Sequence, residues 1–178
     1  MSQEQSTTRE IYHKAMNQAK ENPNAAAVIN VVVRPLEHHV MEAKFRDGMF
    51  TILSDEPSRR GGEDKAPSMM EYFLGGLAMT HLAQFIWNAA DLGITLKKIE
   101  LSLSGSFELA GWVGLQKSKG MKQVTYDVKI ESDASHEKIK ELSERAFARC
   151  PATTSIMNPV PVLGKIILNG NEITKLGY

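Results

Sequence analysis

The feature that most constrains the fold is a long stretch, residues 68–91, whose apolar residues fall on nearly every side of a helix. Ser68 followed three residues later by Glu71 is a capping box, in which the two side chains satisfy unpaired backbone N–H groups at a helix start. Gly93 predicts where the helix ends. Because a helix that is apolar all round is buried all round, we predict that this helix is the centre of the molecule.

One polar stripe interrupts the apolar surface of this predicted helix. It consists of Thr80, Gln84, Asn88 and Asp91, which follow one another at helical spacing and therefore share a face. We predict that this face lines either a pocket or a subunit contact.

Strand patterns lie on both sides of the helix in the sequence. A β-branched run at 28–33 precedes segments 40–45 and 49–53, and Arg46-Asp47-Gly48 between the last two predicts a hairpin turn. Segments 96–107 and 122–130 alternate apolar and polar residues, which indicates strands with one covered face each. A closing strand is predicted at 160–168.

Further helices and loops complete the predicted order. Residues 6–22 form an amphipathic helix, and Ser132-Asp133 predicts the cap of another helix whose apolar stripe ends at Cys150. A short helix is predicted at 152–157. The polar, glycine-containing segment 54–67 is predicted to be a surface loop, and residues 110–121 to be either a hairpin end or a flexible flap.

Length and charge limit the classes of function. The 178 residues predict one domain, which we divide into an N-terminal helical extension, 1–24, and a single domain, 25–178. Lys and Arg number 21, as do Asp and Glu, and no basic run interleaves with aromatics, so no nucleic-acid partner is predicted. No apolar run is long enough to span a membrane, and the single cysteine favours a cytoplasmic location. No cofactor is predicted, and the histidines lack the spacing of a metal site.

Two motifs resemble those of the OsmC/Ohr family. The first runs from Gly61-Gly62 through Pro67 to Glu71-Tyr72-Phe73-Leu74 at the start of the glycine-containing helix, and the second is Arg149-Cys150-Pro151. The resemblance covers roughly residues 27 to 169. It implies an α/β (α+β) fold in which antiparallel sheets wrap around a long buried central helix. It also implies that two chains intertwine as a homodimer with two active sites at the subunit interface.

The resemblance implies a chemistry that this chain matches only in part. In peroxidase members of the family, a first cysteine attacks organic hydroperoxides, a second cysteine resolves the sulfenic acid, and an arginine and a glutamate support the thiolate. Cys150 matches the second cysteine, Glu71 matches the glutamate, Arg34 is the candidate arginine, and Thr80 stands where the first cysteine belongs. A threonine hydroxyl without an adjacent strong base stays protonated, which excludes the two-cysteine cycle.

The sequence leaves the roles of two residues open. Glu71 either supports chemistry or only caps its helix, and Cys150 is either a thiolate stabilised at a helix N-terminus or a small buried hydrophobe.

These alternatives leave three hypotheses for the function. One is a one-cysteine hydroperoxide reductase in oxidative stress defence. Another is a non-enzymatic protein that binds a small apolar or acyl ligand in an interface pocket formed by Phe73, Leu77, Gln84 and His81. A third is a purely structural or regulatory dimer.

Overall fold

The computed structural model describes residues 3–158 and 160–177. Its helices are α1 Gln3–Glu21, α2 Met69–Leu92, α3 Leu109–Trp112, α4 His136–Arg149 and α5 Pro151–Met157. Its strands are β1 Val31–Pro35, β2 Met41–Phe45, β3 Phe50–Ser54, β4 Lys98–Phe107, β5 Met121–Glu131, β6 Gly164–Leu168 and β7 Asn171–Leu176. They pair as three antiparallel sheets in the orders β1-β2-β3, β4-β5 and β6-β7. None of the described helices is long and apolar enough to cross a membrane.

The helix α2 lies at the centre of the core, as its sequence predicts. The buried core joins Phe85 and Ala89 of α2 to Leu142 and Ala146 of α4, with Ile94 just beyond the end of α2. Partly buried residues of the β4-β5 hairpin pack against this cluster, among them Ile99 and Val128. One face of α2 is therefore covered by a helix and a two-stranded sheet.

The prediction that α2 is buried on all sides is wrong for a single chain. Phe73, Met79, Ile86 and Trp87 on α2 are 40 % to 67 % exposed. The described elements that pack on α2 are α1, α4, α5 and β4, and these leave part of its circumference uncovered. Apolar side chains of the other two sheets are exposed as well: Val31, Val32, Val33, Met49, Phe50, Ile167, Leu168, Ile173 and Leu176.

The predicted hairpin at Arg46-Asp47-Gly48 is confirmed. All three residues have positive φ, and β2 and β3 pair antiparallel on either side of them. The preceding strand begins at Val31 and not at residue 28, because Val31 pairs with the last residue of β2, Phe45. Residues 28–30 therefore extend beyond the end of the partner strand.

Other boundaries also differ from the sequence prediction. The cap of α4 is Ser135, whose hydroxyl accepts the Lys138 N–H at 3.4 Å, whereas the hydroxyl of Ser132 donates to the Thr95 carbonyl at 2.7 Å. The closing strand starts at residue 164 and pairs with β7, which was not predicted. The hairpin of β6 and β7 has a sequence signal in Asn169-Gly170, a turn dipeptide with positive φ at both residues.

The loop at 54–67 is not only a surface segment, because it is built around the buried carboxylate of Asp55. This carboxylate accepts backbone N–H groups from Glu56 at 2.8 Å, Glu63 at 3.0 Å and Lys65 at 3.1 Å. The bond from Lys65 is the main cause of the lowered pKa of Asp55. A Cβ at Gly62 would lie 1.7 Å from the Glu56 carbonyl oxygen, so the turn accepts only glycine there.

Candidate functional site

A cavity of about 390 Å³ opens between α2, the β4-β5 hairpin and α5, and we call it the imidazole cavity. Apolar side chains predominate in its wall. The lining residues are Leu77, His81, Leu103, Met121, Lys122, Gln123, Val124, Tyr126, Phe147, Thr153, Ile156 and Met157. Its size and composition are those of a small-molecule site: an apolar concavity with a few placed polar groups.

One polar group in the wall of this cavity is the imidazole of His81, which is 2 % exposed. Its Nδ1 lies 3.0 Å from Thr153 Oγ1, while its Nε2 has no hydrogen-bond partner among the described residues. The ring contacts Tyr126, Phe85 and Phe147, with centroid distances of 4.7, 5.6 and 6.2 Å. Burial lowers the pKa of His81, so the ring is neutral at pH 7. The described chain holds no group of three potential metal ligands that would explain the unpaired nitrogen.

Cys150 and His81 are connected by Thr153, which contacts both residues. The Cys150 Sγ is fully buried and accepts the Thr153 backbone N–H at 3.4 Å, while the Thr153 hydroxyl contacts His81. The predicted position at the start of a short helix is confirmed, since Cys150 is the N-cap of α5. The adjacent guanidinium of Arg149 bonds elsewhere, to the Tyr12 hydroxyl at 2.6 Å and to Asn88 Oδ1 at 2.7 Å.

The polar stripe of α2 does not line the imidazole cavity. The hydroxyl of Thr80 donates to the Gly76 carbonyl at 2.7 Å, within the same helix. The backbone carbonyl of Gln84 accepts from the Asn88 amide at 2.7 Å. Asp91 contacts Arg145 Nη1 at 3.2 Å and His13 Nε2 at 3.4 Å. The C-terminal half of the stripe is therefore a contact with α4 and α1 of the same chain.

A second cavity, of about 630 Å³, lies at the N-terminal end of α2, and we call it the arginine cavity. The guanidinium of Arg60 lies 5.7 and 5.4 Å from the ring centroids of Phe107 and Trp112, and 3.3 Å from the carboxylate of Glu56. Phe73 lines this cavity and not the one that holds His81. Met121 lines both, so the two cavities adjoin.

Glu71 forms the capping box that its spacing predicts. Its Oε2 accepts the Ser68 backbone N–H at 2.6 Å and the Ser68 hydroxyl at 2.8 Å. These bonds are the main cause of the lowered pKa of Glu71, to which the charges of Arg59 and Arg60 add. Arg60 was not among the site residues predicted from the sequence, although its position beside the Gly61-Gly62 motif was a signal.

Arg34, the arginine proposed from the sequence, lies apart from both cavities. It sits on β1 opposite Glu42 and borders a groove formed with Lys44 and Asp47. Within one chain, the structure therefore does not bring Arg34 to Cys150 or to Glu71.

The comparisons with known proteins agree with this architecture. The model of the family described as OsmC-like protein matches residues 62–163. An OsmC-like protein from Mycoplasma pneumoniae shares 24 % identity, with 76 % of this chain and 90 % of that chain covered at a TM-score of 0.61. An organic hydroperoxide resistance protein OsmC from Legionella pneumophila shares 19 % identity, with 75 % of this chain and 91 % of that chain covered at a TM-score of 0.59. An organic hydroperoxide resistance protein from Elizabethkingia anophelis shares 14 % identity, with 76 % of this chain and 92 % of that chain covered at a TM-score of 0.61. A search of curated proteins finds no match.

Helices and antiparallel sheets arranged in this way define a mixed α+β protein with the fold of the OsmC and Ohr structures. The family model covers more than half of the chain, from the glycine of the 54–67 loop through Cys150 to the segment before β6. This protein belongs to the OsmC-like protein family.

Proposed function

We propose that this protein is a family member without peroxidase activity that binds a small, largely apolar organic molecule in the imidazole cavity. The observation that carries the proposal is the unpaired Nε2 of the buried, neutral His81 in a wall in which apolar side chains predominate. A buried polar atom without a partner costs about 1–3 kcal/mol. A ligand that pairs with this nitrogen and fills the cavity recovers that cost.

The chain lacks the parts that the family's two-cysteine cycle needs. Its single cysteine is fully buried, and Thr80 at the predicted first-cysteine position donates its hydroxyl proton to a backbone carbonyl. A hydroxyl engaged in this way has no base to activate it. In this proposal, the cavity prefers organic molecules that resemble organic hydroperoxides in size and polarity, but it does not reduce them.

Two copies of the chain pair as a homodimer in this proposal. The uncovered side chains of α2 include Phe73, Met79 and Ile86, and a second chain would bury them. The exposed apolar strands β1 and β6 are surfaces that can pack against such a second chain. Exposed apolar surface of this extent marks an interaction site. We place the dimer in the cytoplasm, where a single unpaired cysteine stays reduced.

Native mass spectrometry with cumyl alcohol, an unreactive analogue of an organic hydroperoxide, tests the binding function. The variant Val124→Trp fills the imidazole cavity, and Leu115→Trp places the same side chain at a position that is 82 % exposed. We expect the alcohol to bind wild type and Leu115→Trp, and not Val124→Trp. Equal binding to all three proteins, or to none, would contradict the proposal.

One observation favours a second function, that of a thiol-dependent hydroperoxide reductase with one cysteine. The Thr153 N–H donates to Cys150 Sγ, and such a bond stabilises a thiolate. The thiolate would attack a hydroperoxide oxygen, forming a sulfenic acid and releasing the alcohol, and two equivalents of an external thiol would then reduce the sulfenic acid. Cys150 would have to be accessible and acidic. Slow alkylation of Cys150 at a rate that does not change between about pH 6 and pH 8 would exclude this function.

A further inference from the structure

We infer that the imidazole cavity selects uncharged molecules that carry a hydrogen-bond acceptor, such as a carbonyl or ether oxygen, and that His81 Nε2–H is the donor that recognises it. The inference rests on the proposed binding function and specifies its ligand class. It follows from the contacts of both ring nitrogens and from the charges around the cavity.

The hydrogen-bond partners of the ring assign its tautomer. If His81 Nδ1–H donated to Thr153, both the Thr153 hydroxyl proton and the lone pair of Nε2 would lack partners among the described residues. If the Thr153 hydroxyl donates to Nδ1, only Nε2–H is left unpaired. The second arrangement leaves one group without a partner among the described residues and the first leaves two, so the second is favoured. His81 lines the cavity and its Nε2–H is the group left without a partner, so the ligand atom that matches it is an acceptor.

The surroundings of His81 favour an uncharged ligand. Phe85, Tyr126 and Phe147 surround the ring, so a carboxylate placed against Nε2 would lose its hydration without gaining a buried cation. The cation in the cavity wall is Lys122, which is 57 % exposed and pairs with Glu108 at 3.1 Å. An anionic ligand would have to compete for this exposed and already paired ammonium group.

The rest of the cavity sets the apolar part of the ligand. Leu77 and Leu103 from one side and Ile156 and Met157 from the other offer only hydrocarbon and thioether surface. A compact hydrocarbon group fits this wall, while its oxygen atom contacts His81. Small aromatic ketones have both features.

Three molecules of nearly the same shape test the inference. Acetophenone carries the acceptor, α-methylstyrene replaces its carbonyl oxygen by a methylene group, and benzoate carries a negative charge. Isothermal titration calorimetry of the full-length protein at about pH 7.5, above the ordinary histidine pKa, gives the three affinities. We expect acetophenone to bind about tenfold more tightly than α-methylstyrene, the ratio that one buried hydrogen bond supplies, and benzoate to bind most weakly.

Two variants assign that ratio to His81. His81→Leu removes the donor, and Thr153→Val removes the hydroxyl that fixes the tautomer while preserving shape. We expect the ratio of the two affinities to fall to about one in His81→Leu and to decrease in Thr153→Val. Circular dichroism spectra identify variants that fold, and the Thr153→Val result decides the matter if His81→Leu does not fold.

The outcomes separate the inference from the function on which it rests. Equal affinity for acetophenone and α-methylstyrene, tightest binding of benzoate, or a ratio unchanged in both variants would overturn the inference. If the Val124→Trp variant lost binding at the same time, the binding function would stand. If none of the three molecules bound wild type, both would fail.

Discussion

Arg149 donates from Nη1 to Oδ1 of the fully buried Asn88 at 2.7 Å, and the same nitrogen donates to the Tyr12 hydroxyl at 2.6 Å. The guanidinium thereby connects α4 to both α2 and α1. Cys150, the N-cap of α5, follows Arg149 directly, so this connection lies beside the junction of α4 and α5.

Asn88→Leu should destabilise the protein, because it removes the fully buried amide that accepts from Arg149 Nη1 and donates to the Gln84 carbonyl. We expect the free energy of unfolding to fall by about 1–3 kcal/mol. Urea denaturation followed by circular dichroism measures it. Lys140→Ala is the control, since Lys140 is exposed and its contact with Glu144 is 3.8 Å long. A loss no greater than in this control would show that the bond contributes little.

Glu71 gives a test that separates capping from charge. Glu71→Ala removes both bonds to Ser68, and we expect it to cost about 1 kcal/mol of stability. Glutamine also completes a capping box, so Glu71→Gln should retain most of the stability while removing the charge. Thermal unfolding of the two variants makes the comparison. If both lost the same stability, the negative charge beside Arg59 and Arg60 would be the stabilising feature.

The pH dependence of stability should report on His81. Its pKa is lowered in the folded protein by burial, so the unfolded chain takes up a proton near its ordinary pKa of about 6.5 while the folded chain does not. Between the two pKa values the unfolded state binds more protons, and the free energy of unfolding must fall as the pH drops below about 7. Asp55 and Glu71, with lowered carboxyl pKa values, lose their contributions in a separate window below about pH 4.5.

His81→Gln isolates this effect, because the other histidines are present in both proteins. As the pH is lowered from about 7 to about 5, we expect the urea concentration at the unfolding midpoint to decrease more in wild type than in the variant. Parallel curves for the two proteins over this range would mean that His81 does not have a lowered pKa.

The proposed homodimer predicts how the chain sediments. We expect a single species of twice the 19.7 kDa chain mass at micromolar concentration. Ile86→Asp, on the uncovered face of α2, should weaken association, whereas Leu115→Asp on an exposed segment should not. A stable wild-type monomer at that concentration would contradict the dimer.

The sequence predicted the parts of the fold that depend on local patterns. The capping box at Ser68, the turn at Asp47 and the N-cap position of Cys150 each follow from residue types a few positions apart. Boundaries that depend on pairing were predicted less well. The start of β1 is set by the end of its partner β2, which is a tertiary property.

Of the four residues predicted to bind a ligand, two line the imidazole cavity. Leu77 and His81 do line one cavity, but Phe73 faces another and the Gln84 carbonyl bonds to Asn88. Helical spacing tells which residues share a face, but it does not tell what covers that face. The unpaired Nε2 of His81 was not predictable, because it depends on side chains brought together from α2, β5 and α5.

The central claim is that the cavity beside Cys150 binds organic molecules and does not reduce them. The most direct test treats reduced protein with one equivalent of cumene hydroperoxide and follows both the peroxide concentration and the mass of the peptide that contains Cys150. We predict an unchanged peroxide concentration and an unmodified Cys150, since the thiol is fully buried and has no second cysteine. Rapid loss of peroxide with a sulfenic acid or mixed disulfide at Cys150 would contradict the claim and establish the one-cysteine reductase.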